Sequence, residues 1–339
     1  MNDHEIQTDT GDPRPARPDE PYAGLGHDTV LAALESLGCR CDGHVLALNS
    51  YENRVYRIGL EDQAPVVAKF YRPGRWSDAA IEEEHHFTRE LLDGGVSVVA
   101  PLEFNAHTLH HFGGFRFALF PLRGGRAPEL GQRETLRRLG QALARMHNVG
   151  AASAFQHRIR IDVESYGHDA LDTLLDGHWI PPDIEENFER LGERLLDLVE
   201  DAWEDVEPRT LRLHGDCHPG NILWREPPGQ PGEAHFVDLD DALSGPAIQD
   251  LWMLMPADPQ APERDWLLEG YETFRAFDRA ELALVEPLRT LRMLHFNAWI
   301  ARRWADPAFP AAFGWFDSPR HFESLIGQLQ EQLSVLQER

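Results

Sequence analysis

The stretch 213–221 reads LHGDCHPGN, and the stretch 235–238 reads HFVD. Together they place an Asp, an amide five residues later, and a second Asp at the end of a short apolar run. A phosphoryl-transfer site needs one carboxylate that accepts the proton of the attacking hydroxyl. It also needs an amide oxygen and a second carboxylate that hold the magnesium ions on ATP. Asp216, Asn221 and Asp238 fit these roles in chain order, so the pattern predicts an ATP-dependent kinase.

An acidic run begins at Asp238 and also contains Asp240 and Asp241. Three carboxylates this close repel one another unless a cation neutralises them. We therefore expect a magnesium site with Asn221 and Asp238 as ligands, because a solvated acidic loop would not explain the apolar strand before Asp238. The roles of Asp240 and Asp241 stay open, and a structural role is favoured for Asp241.

A lysine lies inside the apolar run 66–70, which reads VVAKF and predicts a buried strand. A buried ammonium is costly unless it is paired, and a kinase needs such a cation on the phosphates of ATP. We expect Lys69 to bind ATP and to pair with an acid of the next helix. Glu84 shares a stripe with apolar residues of that helix and is the favoured partner, with Glu83 second. The alternative is an edge-strand lysine that points to water.

The stretch 48–56, LNSYENRVY, occupies the position of a phosphate-covering loop but contains no glycine. If this loop covers ATP, its backbone amides and the side chain of Ser50, Asn53 or both contact the phosphates, and we favour Ser50. A polar hairpin turn is the alternative. Farther along, 117–122 leads into Gly124 and Gly125 and predicts a hinge whose backbone faces adenine. Asp250 is expected to accept hydrogen bonds from the backbone of the catalytic loop.

The 339 residues are enough for two lobes, each with its own core. Residues 1–24 are rich in Asp, Pro, Arg and Gly and predict a disordered tail. We name 25–122 the N-lobe and 123–339 the C-lobe. The N-lobe pattern predicts a small antiparallel sheet with one important helix, and the C-lobe pattern predicts mostly helices around a catalytic hairpin. The fold class is therefore α+β, with a bilobal, protein-kinase-like plan.

The predicted elements follow from apolar periodicity. The predicted strands are 45–48, 54–58, 66–71, 98–104, 115–120, 222–224 and 235–239. The predicted helices are 28–37, 77–92, 186–203, 264–277, 282–304 and one that ends near 147.

The overall charge limits the partners of the protein. With 32 Lys and Arg against 57 Asp and Glu, the formal net charge is -25, which repels nucleic acid and anionic lipid. The three cysteines do not form a disulfide framework and favour a reducing compartment. Since no apolar stretch is long enough for a membrane span or a signal peptide, we expect a cytoplasmic protein that is a monomer.

Several runs resemble the aminoglycoside phosphotransferase and choline kinase branch of the protein-kinase-like fold, and within it the stress response kinase A (YihE protein kinase) family. The resemblance runs from about residue 27 to near the C-terminus. It implies a serine/threonine protein kinase that uses Mg²⁺-ATP, phosphorylates itself and acts in stress protection. It also implies that Asp216 and Asp238 are catalytic, that Asn221 and Asp238 bind magnesium, and that Ser50 touches ATP. The runs that carry the resemblance are 49–56, 69–73, 211–218, 237–242, 246–253 and 302–310.

This chain departs from typical protein kinases at two points. His218 stands two residues after Asp216, where a lysine is usual, and only seven residues separate Asp238 from Pro246. No long activation loop fits in that interval, so regulation by activation-loop phosphorylation is not expected.

Three alternatives to a protein kinase remain. The first is a kinase that phosphorylates a small molecule such as an aminoglycoside, choline or homoserine, because related lobes serve such substrates. The second is a metallohydrolase in which His214, Asp216 and His218 bind a metal. The third is an ATP-binding scaffold without turnover. The last two are disfavoured because they leave Lys69, Asn221 or the complete catalytic set unexplained.

Overall fold

A computed structural model describes residues 21–226, 228–229 and 231–338 of the chain. A five-stranded antiparallel sheet in the order β1–β2–β3–β5–β4 forms the N-lobe, accompanied by two helices. The strands are β1 (Cys41–Leu48), β2 (Arg54–Leu60), β3 (Val66–Phe70), β4 (His110–Phe112) and β5 (Phe115–Pro121). The helices are α1 (His27–Glu35) and α2 (Asp78–Asp93).

The two faces of the sheet are covered by different helices. Strand β3 is almost wholly buried, as its apolar run predicts, and Phe70 stacks on Phe117 of β5 at 5.3 Å between ring centroids. Leu34 of α1 joins the core on this face. On the other face Ile81 of α2 packs with a second cluster, and the cap of α2 is Ser77, whose hydroxyl accepts from the backbone N–H of Ala80 at 3.2 Å.

The C-lobe is mostly helical and carries two short strand pairs. Its helices are α3 (Arg133–Gly150), α4 (Asp169–Asp176), α5 (Glu185–Val206), α6 (Pro262–Tyr271), α7 (Val285–Arg302), α8 (Ala308–Ala312) and α9 (Pro319–Gln337). The strands are β6 (Leu211–Leu213), which pairs with β9 (Leu243–Gly245), and β7 (Ile222–Arg225), which pairs with β8 (Glu233–Phe236).

Two hydrophobic cores hold the C-lobe together. One contains α3, α6 and both strand pairs, and the other contains α4, α5, α7 and α9. Phe87 and Leu91 of α2 belong to the first of these cores. Helix α2 of the N-lobe thus packs part of its apolar face into the core of the C-lobe.

The α+β architecture agrees with the prediction, but some elements differ. The strand predicted at 98–104 is wrong: Val98 and Phe104 each form one isolated bridge, since Pro101 between them has no N–H to donate. The helix predicted at 264–277 ends at Tyr271, followed by turns. The lobe boundary at residue 122 remains a prediction.

Residues 21–24 of the predicted tail have a defined structure. Residues 1–20 lie outside the described residues, whereas 21–24 form a turn, so the predicted tail extends too far. The reason is Tyr22, whose hydroxyl donates to the carbonyl oxygen of Glu52 at 2.9 Å. The guanidinium of Arg54 lies over its ring at 4.3 Å. Across the described ranges, none of the helices combines the length and apolar character needed to cross a bilayer.

Candidate active site

The catalytic loop, residues 214–221, connects β6 to β7. It turns at Gly215, whose φ is +86° and whose absent Cβ would lie 2.0 Å from the carbonyl oxygen of Asp241. Only glycine fits such a position. The fully buried carboxylate of Asp250 accepts the backbone N–H groups of His214 at 2.8 Å and Gly215 at 2.9 Å. The predicted support of the loop by Asp250 is therefore confirmed.

Asp216 is held on both its backbone and its carboxylate. Its carbonyl oxygen accepts from the side-chain amide of Asn221 at 3.0 Å and from the backbone N–H of His218 at 2.9 Å. Its Oδ1 lies 2.8 Å from a guanidinium nitrogen of Arg292, on α7. The five-residue spacing thus brings Asp216 and Asn221 together on one turn, as the sequence predicts.

Asp238 follows β8 and lies beside Asn221. In the β7–β8 hairpin Ile222 pairs with Phe236, and the next backbone N–H, from Val237, donates to the carbonyl oxygen of Asn221 at 3.0 Å. Asp238 itself has φ 61° and ψ 58°, a left-handed conformation that costs a non-glycine residue free energy and clusters at functional sites. Its side chain is 51% exposed, so the carboxylate is accessible to a ligand.

Lys69 meets this hairpin from the N-lobe. Its ammonium lies 2.6 Å from Oδ1 of Asp238 and 3.1 Å from Oδ1 of Asp240. Burial disfavours the charged lysine, but the carboxylates of Asp238 and Asp240 outweigh burial and raise its pKa above the usual range. Lys69 is therefore a buried, charged cation that joins the two lobes.

The predicted pair of Lys69 with Glu84 is wrong for this structure. Among the described ion pairs Lys69 contacts only the two aspartates, and the carboxylate of Glu84 instead accepts the hydroxyl of Thr88 at 2.9 Å. Burial raises the pKa of Glu84 to about 7, and nearby Lys69 offsets only part of this rise. The physical reason is competition, because two carboxylates of the C-lobe reach the ammonium more closely. The alternative acid, Glu83, accepts backbone N–H groups of residues 156–158.

The acidic run is neutralised by the protein itself. Asp240 is buried and contacts Asn53 and Lys69, and Asp241 forms an ion pair with Arg75. Burial opposes ionisation of Asp240, yet Lys69 and Arg75 outweigh it and hold the pKa of Asp240 below its usual value. Both aspartates therefore have structural partners. Asn53, considered above as a phosphate contact, is used to hold Asp240.

The β1–β2 loop, residues 49–53, borders the same acidic run. Ser50 lies in this loop and is partly exposed. The carboxylate of Glu52 accepts the indole N–H of Trp299 at 2.7 Å and lies 2.5 Å from the guanidinium of Arg303. The loop of the N-lobe is thus attached to the end of α7 in the C-lobe.

A buried aspartate reinforces this attachment. Asp306 accepts from Arg54 at 2.9 Å and from Arg72 at 2.5 Å, and its side chain is only 2% exposed. Both arginines come from the N-lobe. Because a buried carboxylate is stable only when it is paired, the two arginines and Asp306 depend on one another.

The predicted hinge borders a cavity of about 520 Å³. Hinge residues 122–125 line one side, and Arg225 and Glu226, at the end of β7, line the other. Gly125 approaches the backbone of Leu223 so closely that an added Cβ would lie 2.7 Å from the Cβ of that leucine. A small residue is therefore required where the hinge crosses the hairpin.

Oxygen donors are what magnesium prefers, and Asp238 and Asn221 supply a carboxylate and an amide oxygen in adjacent positions. Magnesium takes one or two protein carboxylates plus phosphate oxygens, so a dedicated protein cage is not needed. Within the described ranges no group of three or more His, Cys, Asp and Glu side chains has a geometry that could hold a metal. His214 is fully buried, and its Nε2 lies 2.9 Å from the carbonyl oxygen of Val237, which argues against the metallohydrolase alternative.

Three contributors to the site were not predicted from the sequence: Arg75, Arg292 and Asp306. Arg75 and Arg292 are isolated arginines with no local pattern that distinguishes them from solvated charges. Asp306 lies within one of the runs that carry the family resemblance, 302–310, and this was the only signal that could have drawn attention to it.

Comparisons with known proteins identify the family of this chain. Residues 44–285 match the phosphotransferase enzyme family. The chain is 43% identical to stress response kinase A of Escherichia coli O157:H7 over 319 residues. These aligned residues make up 94% of this chain and 95% of that protein. With the same coverage it is 42% identical to a protein of Salmonella typhimurium (strain LT2) named serine/threonine protein kinase RdoA.

Solved structures with a similar fold are also kinases. A microcompartment-associated aminopropanol kinase has a TM-score of 0.66 at 17% identity, over 91% of this chain and 96% of that chain. Amicoumacin kinase hAmiN, in complex with AMP-PNP and Ca²⁺, has a TM-score of 0.64 at 18% identity, over 89% of this chain and 94% of that chain. At this identity the likeness concerns the fold, and it confirms the predicted protein-kinase-like plan.

Proposed function

This chain belongs to the phosphotransferase enzyme family and, within it, to the stress response kinase A family, and we propose that it is a serine/threonine protein kinase. It transfers the γ-phosphoryl group of ATP to a hydroxyl of a protein acceptor, itself included, during stress protection in the cytoplasm, and it acts as a monomer. One observation carries the choice of acceptor. Over 94% of its length the chain resembles proteins named as a stress response kinase and as a serine/threonine protein kinase.

Asp216 acts as the general base. Its carboxylate accepts the proton of the acceptor hydroxyl while that oxygen forms a bond to the γ-phosphorus and the bond from this phosphorus to ADP breaks. The contacts of the Asp216 backbone with Asn221 and His218 hold the base in place. Such positioning is the main contribution of a protein to phosphoryl transfer.

Asn221 and Asp238 would hold magnesium, which neutralises the charge of the phosphate oxygens when it is bound. The left-handed backbone of Asp238 supports this role because strained conformations of this kind cluster at functional sites. Lys69 binds the α- and β-phosphates, and its position between Asp238 and Asp240 places the ammonium beside the metal ligands. Ser50 contacts the phosphates from the β1–β2 loop. Glu84 contributes to the nucleotide site when its carboxyl group is ionised, because it lies near enough to Lys69 to help raise the pKa of that ammonium.

A small-molecule kinase is the second candidate. It is favoured by the fold, since both of the similar solved structures described above are named for small-molecule acceptors. However, aminated acceptors need unpaired carboxylates near the base. Here Asp240 and Asp241 are already paired with Lys69 and Arg75, and Arg292 adds a cation at Asp216. This charge distribution supports an acceptor without an ammonium group.

The two candidates can be separated with the purified protein and γ-labelled ATP in magnesium. One set of reactions contains generic protein acceptors such as casein, and a second contains choline, aminoglycosides and homoserine. The proposal expects label on the protein acceptor and on the enzyme itself, and none of it with Asp216→Asn. Label on a metabolite alone would replace the protein-kinase proposal with the second candidate.

A further inference from the structure

Arg292 touches the catalytic base from a distant element. It lies on α7, 76 residues after Asp216 in the chain, and its guanidinium is 2.8 Å from Oδ1 of the carboxylate. The arginine side chain is 44% exposed and that of Asp216 is 24% exposed. An ion pair this exposed contributes little to stability, so stability alone does not explain it.

The two carboxylate oxygens of Asp216 are held unequally. Oδ1 receives the short, charge-assisted contact from Arg292. The nearest donors to Oδ2 are farther away: the side-chain amide of Asn221 and Nε2 of His218 each lie at 3.5 Å, which is the far limit for a hydrogen bond. Oδ2 is therefore the oxygen with room for a closer donor.

We propose that Arg292 is a positioning residue for phosphoryl transfer: it fixes Oδ1 of Asp216 and so leaves Oδ2 to accept the proton of the acceptor hydroxyl. This inference rests on the proposed role of Asp216 as the base. It also explains how the loop functions with His218 where a lysine is usual, because α7 brings a cation to the base from outside the loop. The proton moves from the hydroxyl to Oδ2, the hydroxyl oxygen binds the γ-phosphorus, and ADP leaves.

Other charged or titratable groups near Arg292 do not take its place at the base. One turn later His295 stacks on Tyr166 at 4.1 Å between ring centroids. Burial, together with the arginines at 302, 303, 292 and 75, lowers the pKa of His295 to about 4, so this ring is neutral at pH 7. Asp241 and Tyr166 also lie near Asp216, and Arg75 forms an ion pair with Asp241.

The test compares Arg292→Gln with Arg292→Lys by steady-state kinetics in the full-length protein. Removing the contact lets the carboxylate turn, and a misplaced base lowers kcat by roughly 10-fold to 100-fold. The KM for ATP should change less than about twofold, because Arg292 contacts the base and not the predicted nucleotide ligands. Lysine keeps the positive charge but lacks the planar guanidinium, so kcat of Arg292→Lys should lie between those of Arg292→Gln and the wild type. Added guanidinium ion should raise kcat of Arg292→Ala, a recovery that a merely structural role would not show.

Arg302→Gln is the matched control. Arg302 lies on the same helix but donates to the hydroxyl of Thr173 at 2.7 Å and to the backbone of α4. This variant should keep the wild-type kcat, and thermal melting checks that all variants fold. An unchanged kcat in Arg292→Gln, or an equal loss in Arg302→Gln, would overturn the inference.

Failure of this inference differs from failure of the proposed function. The Asp216–Arg292 contact serves any acceptor hydroxyl, so the assay uses whichever acceptor the wild type phosphorylates, or the slow hydrolysis of ATP by water. Transfer to a metabolite alone would end the protein-kinase proposal, while the loss in Arg292→Gln and its recovery would still be measurable.

Discussion

The catalytic loop and the β1–β2 loop border the same acidic run, but they are held in place by different means. The catalytic loop is attached within its own lobe, where Asp250 accepts two of its backbone N–H groups and Gln249 donates to its Gly215 carbonyl at 2.7 Å. The β1–β2 loop is attached to the other lobe, by Glu52 to α7 and by a ring contact of Tyr51 with Phe313 at 5.1 Å.

The residues proposed for phosphoryl transfer and the loop proposed to cover ATP are therefore held by separate sets of contacts. Buried hydrogen bonds to backbone groups hold the base in one arrangement, independent of how the lobes move. The β1–β2 loop is instead held by contacts with the other lobe, so its position depends on how the two lobes are placed. We therefore expect changes at the catalytic loop to affect the rate of transfer, and changes at the cross-lobe contacts to affect nucleotide binding.

The largest effect should come from the base itself. Asp216→Asn removes the proton acceptor but keeps the shape, so kcat should fall by about 10²- to 10⁴-fold. Binding of Mg²⁺-ATP, measured by calorimetry, should stay within about threefold of wild type because Asp216 makes no predicted nucleotide contact. Turnover near the wild-type rate would show that the base has been misassigned.

The next effect should come from the support of the catalytic loop. Asp250→Ala leaves two backbone N–H groups and the side chain of His147 without their buried acceptor. We expect a loss of about 3–5 kcal/mol in the free energy of unfolding and a clear fall in kcat at temperatures where the variant is folded. Denaturant unfolding measures the first and single-turnover kinetics the second. Asp265→Ala, an exposed acid on α6, is the control and should change neither.

A smaller effect, of a different kind, should come from the cross-lobe contacts. Asp306→Ala leaves Arg54 and Arg72 without their shared acceptor, which should cost about 2–3 kcal/mol of stability because Arg72 keeps Glu52 as a partner. Because the β1–β2 loop loosens, the KM for ATP should rise by roughly fivefold, with a smaller change in kcat.

Steady-state kinetics of Asp306→Ala, with the exposed Asp317→Ala as the control, would test this expectation. A fall in kcat with an unchanged KM would contradict the expectation that the cross-lobe contacts affect nucleotide binding more than the rate of transfer. Glu52 also contacts Arg72, at 3.0 Å, so a double-mutant cycle of Asp306→Ala with Glu52→Gln should show coupling.

The smallest effect should come from Glu84 and depends on pH. Burial raises its pKa in the folded protein to about 7, from 4.5 for the exposed group. Between these values the folded state binds more protons than the unfolded state, so stability falls as pH rises. Stability linked to the protonated carboxyl is full below pH 4.5 and is lost as pH passes 7, which amounts to about 2 kcal/mol between pH 5 and 8.

Glu84→Gln should remove this slope, and denaturant unfolding at several pH values measures it. The exposed Glu82→Gln on the same helix is the control and should keep the wild-type slope. A slope that Glu84→Gln leaves unchanged would show that Glu84 is already ionised at pH 5. That outcome would support the predicted pair of Glu84 with Lys69. The N-lobe part of the site would then be held by contacts within its own lobe, as the catalytic loop is.

The sequence was a good guide where residues act within one element or one hairpin. The Asp216–Asn221 turn, the β7–β8 hairpin that leads to Asp238 and the support by Asp250 follow from spacing and apolar patterns. Within the site, the error concerns a choice between competing partners. Glu84 was favoured for Lys69 because helical periodicity shows which face it occupies, but it does not show that Asp238 and Asp240 reach the ammonium more closely.

What the amino-acid sequence determined by itself is the order and local geometry of the catalytic groups, because backbone spacing controls which side chains share a turn. Tertiary structure alone decided which charges far apart in the sequence meet: Lys69 with Asp238, Arg292 with Asp216, and Arg54 and Arg72 with Asp306. These partners are 76 to 252 residues apart. Their pairing depends on how distant elements pack together and exclude water, and no local pattern encodes either.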